Sequence, residues 1–185
     1  MVGIESRMSP NFRFRAVALC LVVLATASCQ VNAPNLGATA SRAGFKANYL
    51  VARIALEKGQ FGKAERSYAS LLKKAGPFEP RIRLEYAHAL LRGGKLSKAS
   101  DEARIVAAQL EGRGRSAALA VQATADQEIA RKAIDNGIAD ADAIQRLVAA
   151  RRSFDELLKI HPDMDPLGAM ALRRKAIDVE LSTIN

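Results

Sequence analysis

Through most of the chain, apolar residues recur at steps of three and four rather than two. Ala64, Tyr68 and Leu71 form one such set, Ala99, Ala103 and Val106 a second, and Ala150, Phe154 and Leu157 a third. Steps of this size bring side chains onto one face of a helix, and no segment shows the alternation of a half-buried strand. The pattern predicts helices near 43–58, 61–75, 79–92, 95–111, 115–136, 139–160 and 166–182. The fold class is therefore all-α.

The helices come as a repeated pair. Gly59-Gln60-Phe61 precedes Ala64, Tyr68, Leu71 and Pro77; 35 residues later Gly94-Lys95-Leu96 precedes Ala99, Ala103 and Val106. A small residue in the first helix, Ala52 or Ala87, lets the second approach closely, and glycine takes the backbone angles that close the turn. A third pair has Ala130 seven residues before Gly137, but its Ala150, Phe154, Leu157 and Pro162 fall eight residues late. An insertion near 138–145, lengthening the second helix, accounts for the shift. Asp165-Pro166 suits the opening of a last helix, with an acceptor at the N-cap and proline in the first turn. Leu167, Met170, Ile177 and Leu181 supply its apolar stripe.

This arrangement resembles the tetratricopeptide repeat (TPR) family, whose unit is a helix pair of about 34 residues. The resemblance implies a short right-handed α-solenoid with units at about 43–77, 78–112 and 115–162 and a capping helix at 166–185. The alternative architecture is an ordinary helical bundle. Ala103 departs from the family, which has a bulky residue there, so thinner packing is expected around it. The resemblance also implies a concave groove, lined by the first helix of each pair, that binds an extended or helical partner segment. The matching positions are Lys46, Tyr49, Arg53 and Leu56, then Arg81, Leu84, His88 and Leu91, then Thr124, Gln127, Arg131 and Ile134. Basic groups interleaved with apolar ones suit an acidic partner with hydrophobic anchors.

The beginning of the chain carries a different signal. A basic stretch with Arg7, Arg13 and Arg15 is followed by the apolar run Ala16 to Ala27. That run is shorter than the roughly 20 residues needed to span a membrane, ends in small residues, and has the form of a secretory signal over 1–28. The sequence LATASCQ resembles a bacterial lipoprotein signal, which implies lipidation of Cys29 and, with Gln30 following, transfer to the periplasmic face of the outer membrane. Ala25-Thr26-Ala27 equally suits ordinary cleavage before Ser28, giving a soluble periplasmic protein. Cys20 would leave with the signal, so the mature chain would hold one Cys and no internal disulfide. Residues 29–42, rich in small and turn-forming types, read as a flexible tether.

Composition adds little beyond this. The 185 residues carry a formal charge of +9, of which +7 remains after the signal. Such a balance suits acidic partners or anionic surfaces, and an exported protein meets little nucleic acid. Arg151-Arg152 and Arg173-Arg174 are expected to face solvent or lipid headgroups. His88 and His161 are the only histidines; His161, before Pro162, stands where it can meet the last helical carbonyls. Asp140 and Asp142 open like a calcium loop, but Gln145 and Arg151 occupy its glycine and closing Glu positions. With no nucleophile motif, phosphate loop or metal-ligand spacing, no cofactor, metal or catalytic residue is assigned. The expectation is an envelope TPR scaffold that is not an enzyme, with a layout similar to TPR lipoproteins of pilus or secretion-complex assembly. The alternatives are a soluble periplasmic adaptor or a non-catalytic subunit of an envelope enzyme complex.

Overall fold

Three glycines set the frame. In a computed structural model that describes residues 36–184, Gly59, Gly94 and Gly137 have φ values of 71°, 75° and 79°, the left-handed conformation that costs a side-chain-bearing residue most. Each lies just past a helix. Gln60 N–H bonds back to Ala55 O at 2.8 Å, Lys95 N–H to Leu90 O at 2.9 Å and Ile138 N–H to Ala133 O at 2.9 Å. These are the same six-residue closures, and each satisfies a carbonyl the helix leaves orphaned. They end α1 (Leu36–Glu57), α3 (Glu79–Arg92) and α5 (Gly112–Asp135). The partners α2 (Phe61–Leu72), α4 (Leu96–Gln109) and α6 (Ala141–Ile160) follow, and α7 (Ala169–Ile184) comes last. Among the described residues there is no strand.

Among the described residues the seven helices pack in consecutive pairs, α2 to α7 each against the next in the chain and α1 through the buried residues it shares with α2 and α3. α3 also touches α5, and α5 touches α7. Two main clusters of buried side chains result. Tyr68, Ile82, Tyr86 and Leu90 belong to the first, shared by α1 to α4 with Ala125 of α5; Leu147, Phe154, Leu157 and Ile177 belong to the second, shared by α4 to α7. Ala87, Ala103 and Val121 form a small cluster of their own.

Ala103 is fully buried where α3, α4 and α5 meet, beside Ala87 and Val121. The third pair is lengthened as expected: α6 runs 20 residues against 12 for α2 and 14 for α4. Asp140 caps it, accepting the Ala143 N–H at 2.9 Å, so this carboxylate has a helix-capping role.

Four boundaries differ from expectation by three residues or more: α2 ends at Leu72, not 75, α5 begins at Gly112, not 115, and the starts of α1 and α7 also move. α1 begins at Leu36, inside the stretch read as a tether; Cys29 and the signal segment lie outside the described residues. α7 begins at Ala169, not 166. Asp165-Pro166-Leu167-Gly168 forms a turn, closed by Gly168 N–H to Asp165 O at 3.0 Å. Asp165 still caps the helix from a distance, accepting from Met170 N–H at 3.1 Å and Ala171 N–H at 2.9 Å. The turn directs Leu167 outward, 90% exposed, so it drops from the stripe; Ile177 is buried, with Met170 and Leu181 packed against the second cluster.

Candidate partner-binding surface

Arg53 and Leu56 of α1 and Leu84 and His88 of α3 line one open cavity of about 250 Å³, together with Glu57, Glu85 and Arg92. The three acid and base partners change its character. Arg53 Nε donates to Glu57 at 2.8 Å, and its Nη1 donates to the two carboxylate oxygens of Glu85 at 3.0 and 3.2 Å. Arg53 is thus held in place by the chain's own acids. The His88 imidazole is half-buried; burial, ahead of the nearby Arg53 and Arg92, pushes its pKa below the usual value, with Glu85 opposing.

The other expected groove residues are distributed differently. Tyr49 sets its ring edge-on to Tyr68 at 6.4 Å and belongs to the wall of the first cluster. The Tyr68 hydroxyl behind it is buried, which raises its pKa, with the Glu85 charge adding to the effect. Lys46 and Arg81 are exposed but outside the cavity, and Leu91 packs on the core.

In the third pair α7 covers much of the expected surface. Gln127 is buried, donating weakly to Glu180 at 3.4 Å and accepting from Arg173 Nη1 at 3.2 Å; Ile134 packs against the second cluster. Thr124 turns its hydroxyl to Ala120 O at 2.8 Å. Burial between α5 and α7 raises the Glu180 pKa, while Gln127 and the neighbouring Arg131 act to lower it. Arg131 itself is exposed.

The basic pairs are corrected as well. Arg173 bonds Glu128 at 3.1 Å, Arg174 bonds Asp155 at 2.8 Å and also Asp178, and Arg151 reaches Asp178 at 3.5 Å. Three of the four arginines tie α7 to α5 and α6 rather than facing headgroups; Arg152 is exposed. His161 Nε2 is buried with no hydrogen-bond partner among the described residues, so its side chain does not cap α6 through that atom.

A larger groove went unpredicted. Phe45, Val51, Leu71 and Phe78 floor an open cavity of about 1120 Å³ between α1, α2 and the turn at Gly76–Phe78. Arg42, Arg66 and Lys74 stand at its rim, and Phe45 stacks on Phe78 with centroids 6.3 Å apart. Neither aromatic falls in the repeated pattern, so only their meeting in space identifies them.

Among the described residues no set of three or more His, Cys, Asp or Glu is placed to hold a metal ion, and no helix is long and apolar enough to cross a membrane. What the fold and surfaces define is an all-helical protein of consecutive helix pairs with two open, mixed apolar and charged grooves. No family model matches the chain, and neither a curated protein nor a solved structure does.

Proposed function

We propose that this chain is a TPR-like scaffold of the bacterial cell envelope, holding a partner segment along the face of α1, α3 and α5. The observation that carries the reading is the meeting of Arg53, Leu56, Leu84 and His88, from two successive pairs, in one open cavity. A solenoid rather than a closed bundle is favoured because, beyond the packing of neighbours in the chain, α3 reaches α5 and α5 reaches α7. Lys46, Arg81 and Arg131 are exposed, and in this reading they carry charge on the same face beyond the cavity.

In this reading the signal-like first 28 residues export the chain and Cys29 carries the lipid anchor. Tethering at the outer membrane raises the effective concentration of the domain toward its partner without catalysis. Assembly of a pilus or secretion complex is the process such a layout suits.

Arg53→Glu together with Arg81→Glu tests the face. Reduced co-purification of envelope partners at unchanged far-ultraviolet circular dichroism is expected; undiminished co-purification overturns the proposal. Mass spectrometry of the mature N-terminus tests the anchor. An acylated Cys29 supports it, and a chain starting at Ser28 replaces it with a soluble periplasmic adaptor.

A further inference from the structure

The larger groove lies on the opposite side of α1 from Arg53, and the chain's own repeat shows what shape covers such a place. Shifted by the 35-residue period, Ala47, Val51 and Ile54 of α1 correspond to Ile82, Tyr86 and Ala89 of α3. The α3 residues are 3%, 4% and 1% exposed, sealed in a cluster built with α1 and α2. Val51 and Ile54 are 46% and 48% exposed, and Leu50 beside them 47%. α1 thus presents an apolar stripe that the next pair buries under the helices before it.

Charge specifies the occupant. The rim of the groove holds Arg42, Arg66 and Lys74, its lining includes no Asp or Glu, and none of the three cations is ion-paired to a described residue. A second copy of this chain fits poorly. The other open end, α7, exposes Leu172 and Val179, but its Asp178 is bound to Arg174 and its exposed Lys175 would meet the cationic rim.

We infer that the groove between α1 and α2 docks an amphipathic helix of a partner protein, its apolar stripe on Phe45, Val51 and Phe78 and its flanking carboxylates on Arg42, Arg66 and Lys74. The helix would seat as the preceding member of the stack, a helix-in-groove mode in which apolar burial gives affinity and charge gives orientation. This site is separate from the α1/α3/α5 face and stands or falls without it.

The test uses the full-length chain and two synthetic helical peptides with the same leucine stripe, one flanked by Glu and one by Lys. The Glu-flanked peptide is expected to bind at least about tenfold more tightly by fluorescence anisotropy, a difference of about 1.4 kcal/mol. The preference should disappear in Arg66→Glu/Lys74→Glu, a surface variant, while Val51→Asp weakens both peptides. Equal binding of the two peptides, or no binding, overturns the proposal. So does concentration-dependent self-association lost in Val51→Asp, crosslinking of position 51 to residues 1–35 of the same chain, or anionic-vesicle binding that displaces the peptide through the same three cations.

Discussion

Arg53 and Glu85 face each other across the first two helix pairs, with Nη1 3.0 Å from one carboxylate oxygen and 3.2 Å from the other. The pair joins α1 to α3 at the middle of the proposed binding face, so the cation most central to that face already has an acid beside it. An acidic partner has to compete with Glu85 for it. Glu85→Gln should therefore strengthen capture of an acidic segment. Because Arg53 is about half exposed, the stability change should stay within roughly 0.2–1 kcal/mol, measured by urea denaturation. Weaker capture would show that Glu85 itself contacts the partner.

His88 makes stability depend on pH. Its folded pKa lies below the ordinary 6.5, first because burial disfavours the imidazolium. The unfolded chain then binds the proton more readily, so this contribution is fully present above pH 6.5 and is lost as pH falls through the lower folded value. Thermal melts from pH 8 to pH 5 should show Tm falling on the acid side, and His88→Gln should flatten that fall. An unchanged slope in the variant would assign the effect to other groups.

Ala103 is expected to resist enlargement. With Ala87 and Val121 against it and no exposure, Ala103→Phe, the bulky choice of the repeat family, should destabilise by about 1–3 kcal/mol by overpacking. Chemical denaturation measures it, and a gain in stability would mean that the helices have room to separate there.

A buried carboxylate links the two halves of the stack. Asp126 of α5 accepts from Ser100 Oγ of α4 at 2.7 Å and from Arg146 Nη1 of α6 at 3.2 Å. Arg146→Leu removes one partner and should cost about 1–3 kcal/mol, because it leaves a desolvated charge less satisfied. Adding Asp126→Asn to that variant should recover part of the loss, which a double-mutant cycle detects.

The pattern of helices and pairs was legible because its causes are local. A glycine at 59, 94 or 137 ends a helix through hydrogen bonds within six residues, and steps of three and four settle which side faces inward. The 35-residue period itself pairs Arg53 with His88, but it pairs Leu56 with Leu91 and Tyr49 with Leu84, and only one member of each of those two pairs lines the cavity. The start of α7 was misplaced because Asp165 caps from five and six residues away, across a turn that sequence spacing does not mark.

Long-range charge pairing was invisible in the same reading. Nothing along the chain says that Arg53 meets Glu85, that Arg173 and Arg174 bind acids of α5 and α6, or that Asp126 is buried beside Ser100. The same holds for the groove of Phe45 and Phe78, brought together by the turn at Gly76–Phe78. Residues near one another in sequence determine backbone conformation, since hydrogen bonds and side-chain sterics act within a turn or two. Which charges remain free and which apolar faces remain open depends on how whole helices settle against each other, and that is decided only once the stack is packed.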